Sequence, residues 1–545
     1  MNKVAHYLQE HLVGEVIVGD DARKHFSTDG SIFEVVPAII AYPRNENDVR
    51  KTARFTWQLA ERGRVIPITA RGAGTDQSGA ALGKGVIMVF PAHMNKILEL
   101  DTKAGTVTVE PGLNYAKLQQ TLHTHGRFLP PFPASSEYST LGGAVANNAG
   151  GQKSVKYGTT ENYVSALRVV LANGEVIETK RLSKRELGKK MGLATFEGEV
   201  YRSLDALIEE NYDTIQKSRL GVSKNAAGYN ISEVKHKDGS FDLTPLFIGS
   251  QGTLGIVTEI SFTTEPHNPA STLIAAFCDD VSVLQDVILS LKKLPKPPSS
   301  IEMVDNKLLN YVNQFNPNQL RNIVKQPFPL FVLLVEFDDI NVKTQSRMAK
   351  KAGKILEKHQ LTFKIESDEI EVEQLWKLRQ SVASVLAHGS DKAKALPIID
   401  DAIVPVDAVG EFISRIYSLF EGYKMPVTMW GHIGEGNIHV QPFLDLSQVG
   451  DRQKVFRILD DYYNLVIEFG GSTSGQYNDG RLRAPYLKKL YGEDVYKVLE
   501  RVKTIFDPFA TLNSGVKIDV DVDMIKPLLR NDFSLQHLYS HMPRT

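Results

Sequence analysis

The segment from Leu129 to Gly158 reads LPPFPASSEYSTLGGAVANNAGGQKSVKYG, and the interpretation of the whole chain starts from it. Glycine and asparagine are concentrated here, and prolines stiffen the entry. Because glycine disfavours regular structure and proline removes backbone donors, neither a good helix nor a regular strand is expected. Backbone N–H groups can instead approach a large anionic or aromatic ligand without intervening side chains. We interpret the segment as a cofactor-binding loop. The alternative is a long surface loop, which is uncommon inside a compact domain.

Length and composition narrow the class of protein. A chain of 545 residues with 42% hydrophobic and 23% charged residues predicts an ordinary globular protein of two or three domains. With 63 Lys and Arg against 64 Asp and Glu, net charge gives no reason to expect nucleic acid as a partner. The single cysteine, Cys278, excludes an intrachain disulfide framework and a cysteine-ligated iron–sulfur cluster. Any electrons moved by this chain would therefore need an organic cofactor.

The sequence predicts a cytoplasmic location. The N-terminal residues lack the apolar centre of a signal peptide, and no apolar run is long enough to cross a bilayer. One basic cluster favours a solvated helix face, and peripheral contact with anionic lipid is the alternative. The cluster comprises Lys180, Arg181, Lys184, Arg185, Lys189 and Lys190.

The N-terminal half reads as short strands separated by helices and glycine turns. After a helical lead-in over residues 1–31, we expect a helix over about 48–62 with Asn47 as N-cap and Gly63 as its stop. A strand then runs into RGAGTD at residues 71–76, whose consecutive N–H groups would suit a diphosphate. This turn lacks the third glycine of a Rossmann fingerprint and the Gly-Lys-Ser/Thr of a P-loop. Asn173-Gly174 predicts a hairpin.

Further along, LFIGSQGTLGIVTEISF at 246–262 predicts a strand, a glycine turn and a second strand. From residue 267, strands alternate with amphipathic helices, which predicts an α+β domain with a helix-covered sheet. The expected helices lie at about 343–359, 371–387, 407–421 and 451–469.

Several motifs, in order, resemble those of one family. They are RGAGTD, MNKILELD, VEPG, PPFPASS, LGGAVANNAGG, KYG, GSQGTLGIVTE, GHIGEGNIH and the ending DPFATLN. This set resembles the FAD-linked oxidoreductases of the vanillyl-alcohol oxidase and p-cresol methylhydroxylase type. Within that family it is similar to the branch of D-lactate dehydrogenase, the glycolate oxidase flavin subunit and D-2-hydroxyglutarate dehydrogenase. The resemblance covers about residues 32–266 and 370–518.

The resemblance implies an α+β fold made of several parts. A two-subdomain FAD-binding domain of the p-cresol methylhydroxylase type would hold FAD between its subdomains, and a ferredoxin-like α+β cap would cover the flavin ring. A C-terminal helical segment would return to the flavin. The expected limits are a lead-in at 1–31, the FAD-binding domain at 32–266, the cap at 267–469, the returning segment at 470–518 and a tail at 519–545.

The resemblance also implies which residues hold FAD. Residues of the first loop would bind the diphosphate through backbone N–H groups, the glycine-rich segment would line the ribityl chain, diphosphate and ring, and the later loop would meet the adenosine side. The residues carried over are Arg71, Gly72, Ala73, Gly74, Thr75, Asp76, Pro133, Ser136, Gly142, Gly143, Asn147, Asn148, Gly150, Gly151, Gly252, Gly255, Ile256, Val257 and Asn513. Relatives with covalent FAD carry a histidine in the first loop, where this chain reads GTDQS. FAD is therefore expected to bind noncovalently.

His432 and His439 are candidates for the reaction site. Their odd spacing would put them on opposite faces of a straight strand, but the glycine turn between them can bring both imidazoles to one point. Two convergent histidines indicate a divalent-metal site, for example for zinc, that would lower the pKa of a substrate hydroxyl. The alternative is a pair of histidines that only satisfy hydrogen bonds.

This chain departs from the family at the next motif. Active relatives carry Ser-Gly-Glu-His-Gly-Asp-Gly, whose glutamate ligates the metal and whose histidine is the base, whereas residues 474–480 read SGQYNDG. Gln476 would weaken metal binding, and Tyr477, with an ordinary pKa of about 10, would be a poor base. Arg379, in an LWxxR pattern, and Lys394 are the candidate cations for a substrate carboxylate. For both, an ordinary surface charge is the alternative.

The sequence thus predicts an FAD-dependent dehydrogenase that oxidises a 2-hydroxy acid by hydride transfer to flavin N5, with electrons leaving to an unidentified acceptor. Two alternatives follow from Gln476 and Tyr477. The same fold could act on another alcohol, such as a sugar, or the chain could be a flavin-binding relative without turnover.

Overall fold

The computed structural model describes residues 2–315, 317–320, 323–388 and 392–535, and most of its strands lie in three sheets. The first sheet has the order Glu15–Ile17, Ile39–Tyr42, Val86–Val89 and Ile68–Arg71, and its last three strands are parallel. The second is antiparallel, with the order Ile97–Asp101, Thr106–Val109, Ile256–Thr263, Val164–Val170 and Val176–Thr179. A small ribbon pairs Arg127–Phe128 with Glu265–Pro266.

The third sheet is antiparallel, has eight strands and belongs to the later half of the chain. Its order is Thr362–Glu366, Thr272–Cys278, Phe331–Phe337, Ser300–Asp305, Val427–His432, Asn437–Leu444 and Lys394–Ala395, and Ala402–Ile403 also pairs with Asn437–Leu444. Ile32 and Phe33 from the N-terminal half are buried in the same hydrophobic core as this sheet.

The α-helices cover the sheets and connect their strands. In chain order they are Asn2–His11, Asp20–His25, Glu46–Ala60, Tyr115–Thr124, Leu141–Asn147, Ser154–Tyr157, Lys184–Met191, Phe196–Glu210, Tyr212–Lys217, Thr244–Phe247, Val281–Lys292, Asn306–Phe315, Pro317–Leu320, Val342–Lys358, Glu369–His388, Val409–Gly422, Val449–Glu468, Leu487–Phe506 and Val522–Ile525.

The predicted α+β class is confirmed, and the hairpin at Gly174 forms with that residue at φ 85°. Other details differ. The first long helix begins two residues early, because the Asn45 side chain, and not Asn47, accepts the Asp48 N–H at 3.1 Å.

The glycine-rich segment was not expected to form a good helix, but it contains the short helices Leu141–Asn147 and Ser154–Tyr157, the first of which is capped by the Thr140 side chain.

Two assignments of strands also differ. The expected strand at residues 246–248 was wrong, because Thr244–Phe247 is a short helix with proline in its first turn. The strand Ser300–Asp305 was not predicted at all. The domain limits stay predictions, and residues 536–545 of the expected tail lie outside the described residues.

Asp305 provides a test of burial in the third sheet. Its side chain is fully buried, accepts the Leu308 N–H at 2.8 Å and the Tyr417 hydroxyl at 3.1 Å, and burial raises its pKa to about 7. In the unfolded chain the pKa is about 3.9. The folded protein therefore holds this proton over a range where the unfolded chain has lost it, so the free energy of unfolding falls as pH rises from about 4 to 7. Asp305→Asn should remove this part of the pH dependence, worth up to about 4 kcal/mol.

The measurement is urea denaturation of both proteins at pH 5 and pH 8. We expect the wild type to lose more stability than Asp305→Asn between these values. Parallel losses would contradict the buried, protonated aspartic acid.

Candidate active site

A cleft forms where three loops of the N-terminal half meet. The residues that line it are Ala70, Arg71, Gly72, Ala73, Gly74, Thr75, Asp76, Ala80, Ala81, Phe90, Pro111, Thr140, Gly142, Gly143, Ala146, Asn147, Phe247, Ser250, Gln251, Gly252, Gly255 and Val257. The turn at 71–76, the start of the glycine-rich helix and the loop at 250–257 thus face one space. Twelve of the residues predicted to bind the cofactor lie in this lining: all six of 71–76, with Gly142, Gly143, Asn147, Gly252, Gly255 and Val257.

The glycines in the lining allow the loops to approach one another closely. A Cβ atom on Gly72 would clash with the Thr140 hydroxyl, and one on Gly142 would lie 2.7 Å from Cβ of Pro111. The Thr140 hydroxyl also caps the helix Leu141–Asn147 by accepting the Gly143 N–H at 3.2 Å. Side chains at these positions would therefore displace a wall of the cleft.

Side-chain amides connect the walls. Asn147 donates to Asp76 Oδ1 at 3.1 Å and accepts from Gln251 Nε2 at 2.9 Å. Gln251 Oε1 also accepts a hydrogen bond from the Gly480 N–H at 2.8 Å. Asn513 donates to the backbone carbonyl of Gln251 at 2.7 Å and to that of Ala80 at 2.9 Å. The returning C-terminal segment is thereby bonded to two walls of the cleft.

The Arg71 side chain supports the first loop. Its guanidinium donates to the carbonyls of Thr28 at 2.8 Å and Ala81 at 3.3 Å, and burial lowers its pKa to about 10. The two terminal nitrogens of the guanidinium are thus occupied by protein carbonyls, whereas its buried Nε has no hydrogen-bond partner among the described residues.

The remaining predicted cofactor residues lie outside this lining. Ile256 is buried in a hydrophobic core, and Asn148 ends the glycine-rich helix at φ 52°. Gly150 meets a second cluster, because a Cβ atom there would lie 2.6 Å from Oε1 of Gln476. The others outside the lining are Pro133, Ser136, Gly151 and Asn513.

His432 and His439 lie on one face of a β-hairpin. The antiparallel register places His439 opposite Trp430, two residues before His432, so both imidazoles project from the same side. Their ring centroids are 5.4 Å apart. The turn between them contains Gly436 at φ 80°, where a Cβ atom would also clash with the Val404 carbonyl. This glycine turn is what converts an odd spacing into a convergent pair.

Each imidazole is oriented by a buried carboxylate. His432 Nδ1 lies 2.6 Å from Glu302 Oε1, and His439 Nδ1 lies 2.6 Å from Asp400 Oδ1. With Nδ1–H donated to a carboxylate, each Nε2 is left as an acceptor that faces the common point. Burial, followed by the charge of Lys224, holds the pKa of His432 well below its usual range. This histidine is therefore neutral at neutral pH.

Gln476 lies between the two imidazoles. Its Nε2 is 2.9 Å from His432 Nε2 and 3.4 Å from His439 Nε2. Its Oε1 accepts from the Lys224 ammonium at 3.1 Å. The Asp401 carboxylate positions the surrounding loop, because it accepts the N–H groups of Gln476 at 2.9 Å and Tyr477 at 2.6 Å.

The other predicted reaction residues are placed differently. Tyr477 stacks on His439 with ring centroids 5.1 Å apart, and burial raises its pKa well above 10. Arg379 joins the cluster through Glu302, whose Oε2 accepts from its Nε at 2.7 Å. Lys394 does not join it: its ammonium donates to the Phe533 carbonyl at 2.7 Å, near the end of the described chain.

Sequence reasoning missed four buried charged groups of this cluster, Glu302, Asp400, Asp401 and Lys224. A signal existed for the carboxylates, because each interrupts an apolar run. Glu302 lies in SIEMVD, and Asp400 and Asp401 lie in LPIIDDAIV. No comparable signal marks Lys224, which lies in a polar loop between Leu220 and Asn230.

Two family models match the chain. Residues 37–180 match the FAD binding domain, and residues 267–516 match the C-terminal domain of FAD linked oxidases. Among solved structures, 4-ethylphenol oxidase from Gulosibacter chungangensis superposes with a TM-score of 0.68 at 16% identity, covering 96% of this chain and 98% of that one. p-Cresol methylhydroxylase superposes with a TM-score of 0.67 at 14% identity, covering 96% and 97%. These findings confirm the predicted family and fold.

Curated relatives extend over nearly the whole chain. D-2-hydroxyglutarate dehydrogenase of Escherichia coli is 29% identical over 97% of this chain and 53% of its own length, so this chain spans about half of that relative. The glycolate oxidase subunit GlcD of Bacillus subtilis is 28% identical over 89% of each protein. D-lactate dehydrogenase of Anaerostipes hadrus is 26% identical over 92% of this chain and 94% of its own.

Gly72→Ala tests the closeness of the cleft walls. The added methyl group should displace the Thr140 hydroxyl, and the lost helix cap should destabilise the protein by about 1 kcal/mol. We expect a lower FAD content after purification and weaker binding of added FAD, measured by flavin fluorescence. Gly188→Ala is the matched control, because this glycine is helical and a Cβ atom there meets nothing within 4 Å. Equal FAD affinity in both variants would contradict the proposed packing.

Proposed function

We propose that this chain, which carries an FAD binding domain and the C-terminal domain of FAD linked oxidases, binds FAD noncovalently and oxidises a 2-hydroxy acid to the 2-oxo acid. The observation that carries the proposal is the convergence of two carboxylate-oriented histidines on Gln476, whose amide oxygen lies next to Gly150 of the glycine-rich segment. The names of the relatives, which are dehydrogenases or oxidases of D-2-hydroxyglutarate, glycolate and D-lactate, support this substrate class.

The cleft fits FAD in its chemistry. Its walls combine close-approaching glycine backbone with few side chains, which suits a dinucleotide bound along its length. The first loop offers no histidine for a covalent link, since residues 74–78 read GTDQS. When bound, FAD supplies the acceptor for the hydride that leaves C2 of the substrate.

We propose that His439 is the general base that removes the proton of the substrate hydroxyl. Its Nδ1–H is directed to Asp400, so its Nε2 is the atom that accepts the proton of the substrate hydroxyl, and Asp400 stabilises the resulting imidazolium. Its contact with the Gln476 amide is the longer of the two, at 3.4 Å, and is therefore the easier to replace by a substrate hydroxyl. His432 is the weaker candidate, because burial and the Lys224 charge lower its pKa.

We propose that the Arg379 guanidinium binds the substrate carboxylate. This guanidinium is buried within the histidine cluster, where its Nε pairs with Glu302. Planar guanidinium groups can bind a further carboxylate through their remaining donors. Lys394, which donates to the Phe533 carbonyl in the tail, receives no substrate role.

The residues present do not fit a divalent metal at the histidine pair. Within the ranges that the structure describes, no group of three or more His, Cys, Asp or Glu side chains is arranged to hold one. The point that both Nε2 atoms face is taken by an amide N–H₂ group, which is a donor and cannot ligate a cation. No step of the proposed reaction uses a metal.

The electron acceptor and the location stay predictions. In the parts of the chain described by the structure, no helix is both long and apolar enough to span a membrane. In the basic cluster at 180–190, Arg181 pairs with Asp238, Lys190 pairs with Glu197, and Leu187 faces the core. These contacts favour a solvated helix face, and we propose a cytoplasmic protein.

Anaerobic reduction of the bound flavin tests the substrate class. We expect D-lactate, glycolate or D-2-hydroxyglutarate to bleach the yellow protein, and His439→Asn, which can still donate to Asp400, to slow bleaching by about 10²–10⁴-fold. His125→Asn, at an exposed helix end, is the control and should bleach normally. Bleaching only by another alcohol, or by no substrate, would favour one of the alternatives drawn from Gln476 and Tyr477.

Tyr477→Phe tests whether the phenol acts as the base. Because burial raises the pKa of Tyr477 well above 10, its hydroxyl should contribute little to proton removal. We expect the rate of flavin reduction to change by less than about threefold, in the range of an ordinary contact rather than of a lost base. A loss of about 100-fold would make Tyr477 the base and remove His439 from that role.

A further inference from the structure

We infer that Lys224 takes the place of a divalent metal in this chain, and that it does so by holding the Gln476 amide between the two histidines. The inference deepens the proposed function, because it names the cation of that same site. It rests on the proposed function only for its relevance to catalysis.

The two histidines are built as metal ligands usually are. Each directs Nδ1–H to a buried carboxylate and turns Nε2 toward a shared point, the arrangement that orients imidazoles around a cation. The third position of that site belongs to Gln476. An amide oxygen there could ligate a cation, whereas an amide nitrogen could not.

Lys224 decides which end of the amide faces the histidines. An ammonium group has three donors and no acceptor, so the atom that contacts it at 3.1 Å must be Oε1. Nε2 then faces the imidazoles and donates to both acceptors. The reverse orientation would place N–H₂ against the ammonium and leave both imidazoles without their donor.

Lys224 is itself fixed by residues from other elements. Its ammonium lies 2.9 Å from Glu435 Oε2, in the turn between the histidines, and 3.1 Å from the Ser154 hydroxyl, within the glycine-rich segment. The side chain is only 4% exposed. A rotated lysine would leave the buried Glu435 carboxylate without its cationic partner, with only the Ser154 hydroxyl as donor among the described residues, so the ammonium is held in one position.

The Lys224 ammonium is thus a fixed positive charge that is separated from the histidines by the Gln476 amide. It replaces a cation that would lie between the two imidazoles. This charge opposes a second cation at the same point. Lys224 is therefore a positioning residue: it keeps Gln476 in the orientation that occupies the metal position.

Zinc binding tests the inference without turnover. Zn²⁺ is titrated by calorimetry into the FAD-loaded wild type, the Lys224→Met variant and the Lys224→Met/Gln476→Glu double variant. The wild type should bind no Zn²⁺ at the histidine pair. The double variant, with an anionic ligand and no competing ammonium, should bind one Zn²⁺ per chain at the histidine pair, with an affinity at least about 100-fold above any zinc binding of the wild type. Adding His432→Asn to the double variant should abolish this binding.

Lys235→Met is the matched control, because Lys235 pairs with Asp205 and Glu209 outside the site, and it should leave zinc binding as in the wild type. Stoichiometric Zn²⁺ in the wild type that is lost in His432→Asn would overturn the inference. So would a double variant that retains FAD but gains no affinity.

The Lys224 variants also separate a positioning role from a structural one. Lys224→Met should lower kcat more than it raises KM, and Lys224→Arg, which keeps the charge and the donors, should restore part of the activity. Equal loss in both variants, with unchanged zinc behaviour, would contradict the role. If no 2-hydroxy acid reduces the flavin while the zinc results are as expected, the proposed function fails and the inference stands.

Discussion

The structure depends on a set of side-chain amides that bind together segments far apart in the sequence. Asn147, Gln251 and Asn513 join residues 71–80, the glycine-rich helix and the C-terminal segment around one cleft. Amides suit this position because each offers both donors and an acceptor without adding a charge next to an anionic ligand. Glycine allows the loops around the cleft to approach one another closely, and the amide hydrogen bonds hold these loops in fixed positions.

The second organising feature is the pairing of buried charges at the junction with the third sheet. Arg379 pairs with Glu302, Lys224 with Glu435 and Lys517 with Asp479, all within nearly inaccessible surroundings. Such pairs cost desolvation energy that their attraction barely offsets, so they are weak contributors to stability. Two of these pairs lie in the histidine cluster, where their burial is better explained by function. Glu302 orients the His432 imidazole, and Lys224 contacts the Gln476 amide that lies between the histidines.

The sequence was informative where backbone conformation dictates residue type. The turn at 71–76 and the hairpin turn containing Gly436 could be predicted, because few residues other than glycine tolerate such close approach or positive φ. The close approach of the glycine-rich segment could also be predicted, but its two short helices, Leu141–Asn147 and Ser154–Tyr157, could not. Glu302, Asp400 and Lys224 could not be assigned in the same way. Their partners come from 39 to 252 residues away. Glu302 meets His432 across neighbouring strands of the third sheet, whereas Lys224 meets Gln476 only because the C-terminal segment packs against the N-terminal half. The strand Ser300–Asp305 was also missed, so the carboxylate that orients His432 had no predicted position.

We propose that the cleft and the histidine pair form one site, in which a dinucleotide lies along glycine backbone and its reactive end meets the third sheet. The most direct measurement is a titration of the flavin-depleted, full-length protein with FAD, followed by visible absorption and flavin fluorescence. A site of this kind predicts saturable binding of one FAD per chain that is released intact on denaturation. A folded protein that remains colourless and does not respond to added FAD would contradict it.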